Sequence, residues 1–112
     1  MASVIRFDKE ERRALEVHVA NPDGDGERVY ELPLSGSLNL GESMGLMKAY
    51  REPKEQRDSA FFMWFYDFAC RNVGKNIIDS LSTDQFRTLA DTWQTESEKD
   101  GASLGESPAS PE

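Results

Sequence analysis

The chain has 112 residues, 13 Lys+Arg against 21 Asp+Glu and a formal net charge of −8, which leaves room for one domain and repels nucleic-acid phosphates and anionic lipid surfaces alike. Its longest apolar run, Ala60–Tyr66, is seven residues, far short of the roughly 18–20 that span a bilayer, and Arg6, Asp8, Lys9 and Glu10 follow Ile5 too closely for a secretory leader. One cysteine and one histidine exclude an internal disulfide and a zinc site built from Cys and His, so the expectation is an intracellular protein without metal or cofactor.

The N-terminal third alternates with period two. Leu15, Val17 and Val19 fall on one face with Glu16 and His18 on the other, and Tyr30, Leu32 and Leu34 repeat the pattern with Val29 and Glu31 opposite. The turn formers Asn21-Pro22-Asp23-Gly24-Asp25-Gly26 separate the two runs, which predicts a β-hairpin. Val4–Phe7 reads as an additional first strand, giving a short antiparallel meander over residues 4–34. Pro33 suits a strand end or edge, because it has no N–H for the ladder.

A helical period begins at residue 39. Asn39 and Glu42 have capping-box spacing, and over residues 39–51 Leu40, Met44 and Met47 share a face with neighbouring Tyr50 and Leu46. Gly41 and Gly45 weaken this helix by up to about 1 kcal/mol each, and Pro53 ends it. A second helix is expected over 54–73. At 100° per residue, Phe61, Phe62, Trp64, Phe65, Tyr66, Phe68, Ala69 and Val73 cover a wide arc, which makes this the central helix. Ala60, Met63, Asp67 and Arg71 are left for solvent. After Gly74, Ile77, Ile78 and Leu81 form a short apolar segment.

The third helix is expected over 83–95. Ser82 and Gln85 form a capping box, Leu81 and Phe86 a hydrophobic staple, and Phe86, Leu89, Ala90 and Trp93 one apolar stripe. The predicted core is Phe61, Trp64, Phe65, Phe68, Phe86, Leu89 and Trp93. From Glu96 to Glu112 the chain is rich in Ser, Gly, Pro and Glu with one large apolar residue, Leu104. Such a composition cannot offset about 1–2 kcal/mol of backbone entropy per residue. The expected architecture is therefore α+β: a meander followed by three helices over residues 1–95, with a disordered acidic tail over 96–112.

No residue pattern supports catalysis. His18 lies on the polar face of a strand with no nucleophile motif near it, and Cys70 closes an aromatic helix face as an inert thiol does. Asp23 and Asp25 resemble the start of a calcium loop but lack its later oxygens and terminal Glu, while Asp79 and Asp84 lie at a turn and a cap. The aromatics of 61–68 have Asp58 and Asp67 for neighbours rather than the interleaved cations of a base-stacking surface, so core packing is their expected role. Exposed Met63 is the one candidate partner-binding residue, thioethers being adaptable at contact surfaces. Leu-Gly-Glu-Ser occurs at Leu40–Ser43 and again at Leu104–Ser107, too short to count as an internal repeat.

The order of elements resembles the tail assembly chaperones of long-tailed, non-contractile bacteriophages of actinobacteria. The resemblance rests on Tyr30-Glu31-Leu32-Pro33 ending a β-rich start, Leu81-Ser82-Thr83-Asp84-Gln85-Phe86 leading to Trp93, and the tail Leu104-Gly105-Glu106-Ser107-Pro108-Ala109-Ser110. It covers residues 29–112, and its C-terminal third is the distinctive part. What it implies is a non-enzymatic chaperone that binds the long tape measure protein in the host cell cytoplasm and is absent from the mature virion. The tail tube protein is a further candidate partner. The resemblance also implies a longer form of the same chain made by programmed frameshifting, this chain being the short product. The rival class is a structural tail or head–tail connector protein retained in the virion, which mass spectrometry of purified particles separates from a chaperone.

The frameshift expectation can be checked in the coding DNA. Leu104-Gly105-Glu106 can be written with a run of G leading into A that survives a one-nucleotide backward slip, and Ser107 follows at once. The expected sequence has such a run within the codons for Asp100–Glu112 and an open −1 frame beyond it. Absence of either removes the two-product expectation.

Overall fold

The computed structural model describes residues 3–5, 12–21 and 24–103. Strands β1 (Ala14–Ala20) and β2 (Glu27–Pro33) form a two-stranded antiparallel hairpin, followed by a 3-10 turn at Ser35–Ser37 and helices α1 (Leu40–Tyr50), α2 (Lys54–Asn72), α3 (Lys75–Asp79) and α4 (Thr83–Ser103). The α+β architecture is the expected one. Val4 and Ile5, however, lie outside any strand and are exposed. The rest of the expected first strand falls outside the described residues.

The hairpin pairs Leu15 with Leu32, Val17 with Tyr30 and His18 with Val29. Its turn is closed by Asn21, whose N–H donates to Gly26 O at 3.1 Å and whose carbonyl accepts from Gly24 N at 3.0 Å. Gly24 and Gly26 both take positive φ, at 86° and 72°, where a side chain would be strained.

The capping box of α1 is present: Asn39 Oδ1 accepts from Glu42 N at 2.8 Å and Glu42 Oε1 from Asn39 N at 3.3 Å. Its rotation separates Leu46 from the apolar residues that the sequence pattern groups with it. The buried residues are Glu42, Leu46 and Ala49, whereas Leu40, Met44 and Met47 are 77%, 55% and 46% exposed. Gly45 is the cause. A Cβ there would lie 2.9 Å from Trp64 Nε1, so the glycine faces α2 and permits close approach. Glu42 fixes the same rotation by reaching Arg71 on α2 at 3.5 Å.

Helix α2 is central, as expected, and buries Phe61, Phe65, Phe68 and Ala69. Its buried arc is narrower than the sequence pattern suggests: Trp64 and Phe62 are half-buried, and Tyr66 is exposed. The phenol turns outward because its O–H donates to Asp79 Oδ1 on α3. Gly74, at φ 129°, reverses the chain into α3, which buries Ile78.

Helix α4 begins with the expected capping box, Gln85 N donating to Ser82 Oγ at 3.0 Å and Ser82 N to Gln85 Oε1 at 2.9 Å. It does not stop near Thr95. The helix continues to Ser103, eight residues beyond the expected end. Two long-range contacts hold the added turns: Ser35 N donates to Ser97 Oγ at 3.1 Å, and Arg13 Nε to Asp100 Oδ2 at 2.8 Å. Ser97 thus binds the turn between β2 and α1, and Asp100 the residue just before β1. Residues 104–112, with Leu104, Gly105, Glu106 and Ser107, lie outside the described residues.

The core gathers around Trp93, which is 1% exposed. Its ring lies 5.4 Å from Phe65, 5.6 Å from Phe68 and 6.2 Å from Phe61, and Phe86 packs 5.5 Å from Phe65. Leu89 is half-buried at the edge of this cluster. Phe65→Ala or Trp93→Ala is expected to cost roughly 3–5 kcal/mol, close to the whole stability of a small domain. Asp67→Ala, whose carboxylate is exposed beside Arg71, is expected to shift stability by less than about 0.5 kcal/mol. Chemical denaturation of the three variants checks both.

Candidate functional site

Among the described residues, two surface clusters of titratable side chains have shifted pKa values. On the polar face of the hairpin, His18 Nε2 meets Glu16 Oε1 at 3.0 Å and Nδ1 meets Glu27 Oε2. Both ring nitrogens thus face carboxylates, Glu27 most strongly and then Glu16, and they hold the imidazole pKa above 6.5. With both nitrogens so paired, His18 is built as a cross-strand charge link. Between α2 and α3, Asp79 accepts from Tyr66 and from Lys75. Lys75, and then Tyr66, draws the Asp79 pKa down, while Asp79 raises the pKa of Lys75 and of Tyr66. The Tyr66–Asp79 bond is a clamp across the Gly74 reversal. Cys70 is half-buried, and no group of three or more His, Cys, Asp or Glu among the described residues could hold a metal ion.

The expected core residues Phe61, Trp64, Phe65, Phe68, Phe86, Leu89 and Trp93 all belong to the aromatic cluster or pack against it. The 61–68 run therefore forms the core. Met63 stands apart. It is 71% exposed at the rim of a hollow of about 550 Å3 between α2 and α4, where Arg87 lies 5.6 Å over the Phe62 ring.

A row of exposed apolar side chains lies on α1. Leu40, Met44 and Met47 repeat at i, i+4 and i+7 along α1 and share one outward face. A shallow depression of about 380 Å3 lies among Met44, Met47, Lys48 and Arg51, so an apolar stripe ends in two cations. The signal for this surface was present in the spacing of the apolar residues. Its direction was not, because Gly45 and the Glu42–Arg71 pair decide it through contacts with α2. Chemically such a face offers dispersion and apolar burial to a partner side chain rather than bond-making.

The raised His18 pKa fixes a sign. Protonated His18 stabilises the fold fully below about pH 6.5, its unfolded value, and that contribution is lost as the pH rises through the higher folded value. The ring resonances of His18 are expected to titrate above 6.5. Glu27→Gln is expected to lower the midpoint more than Glu16→Gln, since Glu27 is the stronger cause. An NMR titration of the three proteins checks the order.

No known protein family, no curated protein and no solved structure matches this chain.

Proposed function

We propose that this protein is a non-enzymatic assembly chaperone of the phage-tail type, which holds apolar segments of a long tape measure protein while the tail is built in the host cytoplasm. The observation that carries the reading is the outward apolar face of α1. Leu40, Met44 and Met47 stand in water at substantial exposure, and a soluble protein rarely keeps such a row uncovered unless something binds there. Two of the three are methionines, whose flexible thioethers adapt to differing partner side chains. A client with many similar apolar segments requires that tolerance. Met63, exposed on α2, is the second contact residue.

The acidic remainder fits the same task. A net charge of −8 keeps the protein well solvated while the α1 face holds apolar client surface. The resemblance of Tyr30–Pro33, Leu81–Trp93 and the Leu104–Ser110 tail to tail assembly chaperones supplies the client's identity, and a frameshifted longer form would carry the same apolar face.

Co-expression with the tape measure protein tests the reading. Leu40→Asp combined with Met47→Asp is expected to reduce co-purification at least ten-fold with an unchanged melting temperature, and Met63→Asp to weaken it less. Raising salt to about 1 M, where charges are screened beyond about 3 Å, is expected to leave the parent complex intact. Loss of the complex in salt, or full binding by the double variant, overturns it.

A further inference from the structure

The hairpin has one strand edge that nothing among the described residues covers. Leu34 N donates to Arg13 O and Asn21 N to Gly26 O, so 13 with 34 and 21 with 26 are hydrogen-bonded pairs in the observed register. Bonded and non-bonded pairs alternate along an antiparallel ladder. Leu15, Val17 and Val19 therefore exchange backbone bonds with β2, whereas Ala14, Glu16, His18 and Ala20 turn their N–H and C=O groups away from it. The opposite edge is different. There Pro33 stands at an outward position and has no N–H to offer, a common way of blunting an edge.

Beside the bare edge runs an open groove of about 390 Å3 between β1 and the α3–α4 corner. Leu15, Val17 and Val19 form one wall, and Ile77, Leu81 and Leu89 face them. The groove accepts an extended strand with apolar side chains at every second position.

The sequence of β1 itself meets that description and does so symmetrically. Ala14-Leu15-Glu16-Val17-His18-Val19-Ala20 has the same class of residue at equal distances from Val17, except at one pair, Glu16 and His18, an acid and a base. In an antiparallel pairing centred on Val17, Ala14 meets the partner's Ala20, Leu15 meets the partner's Val19, and Glu16 meets the partner's His18. The outward backbone groups of both copies then face one another as bonded pairs. Shifting the centre by one residue sets Glu16 against the partner's Glu16, or His18 against the partner's His18, and like charges directly opposite are unfavourable.

We propose that two copies of this chain pair edge to edge along β1, about a two-fold axis at Val17, to form one four-stranded antiparallel sheet. The interface is isologous, so it closes at a dimer. Leu15, Val17 and Val19 of each copy enter the other's groove, and placing Glu16 opposite the partner's His18 sets the register, His18 exchanging its own Glu16 for the partner's while it keeps Glu27. The outward face of α1 is not used, so the pairing is independent of client binding.

Sedimentation equilibrium of the full chain across a concentration series tests it. The parent is expected to dimerise, with the amides of Ala14, Glu16, His18 and Ala20 gaining exchange protection as concentration rises. His18→Glu, which opposes two carboxylates, is expected to weaken the dimer at least ten-fold. The combined Glu16→His and His18→Glu variant restores an opposite pair and is expected to recover it. Circular dichroism confirms that each variant is folded. A parent that stays monomeric, a His18→Glu variant that pairs as tightly as the parent, or a double variant that fails to recover overturns the proposal. Edge protection that is independent of concentration overturns it too, since it would mean that the same chain covers its own edge.

Discussion

Where the hairpin, the aromatic helix and the last helix meet, the indole of Trp93 commits its only N–H to the Pro33 carbonyl at 2.8 Å. The indole nitrogen is buried, and leaving it unsatisfied would cost about 1–3 kcal/mol. The strand register makes the acceptor available. Pro33 sits at a position that β1 does not bond, so its missing N–H does no harm and its carbonyl is free to point at Trp93. Around that fixed ring, Phe61, Phe65 and Phe68 have defined places on α2. The position of α2 in turn sets where α1 can lie.

The sequence revealed what local chemistry decides. The hairpin was legible in the period-two runs flanking Asn21–Gly26, because glycine and asparagine are needed there for backbone reasons. Both capping boxes were legible because Asn39–Glu42 and Ser82–Gln85 satisfy donors within one turn. The direction of the α1 stripe was not, since Gly45 acts on Trp64 and Glu42 on Arg71, partners nineteen and twenty-nine positions away. The added turns of α4 were hidden for the same reason. Ser97 and Asp100 have the composition of a solvated tail until their partners, Ser35 and Arg13, are brought to them. Tyr66 was misjudged because hydropathy sees its ring, while Asp79 holds its hydroxyl at the surface. The candidate surface on α1 was thus half legible: its residues could be picked out, but not the side to which they point.

Two surfaces of different chemistry result. The α1 face presents flexible apolar side chains, which can conform to many shapes. The β1 edge offers backbone groups at fixed spacing, which discriminate by register and direction. Their separation on different elements lets one change without the other: a substitution on α1 alters apolar contact alone, and one on the polar face of β1 alters charge alone.

The Arg13–Asp100 pair joins positions 87 residues apart, and this bears on how the molecule is made. A chain synthesised from its N-terminus completes β1 long before Asp100 exists. The hairpin can pair early, since its partners are close in sequence, but its lower end stays unanchored until almost the last helical turn emerges. Closing so long a loop is entropically costly, and it becomes favourable once the aromatic core has brought α4 alongside. The start of the hairpin is therefore locked by residues of α4, which are made much later than β1.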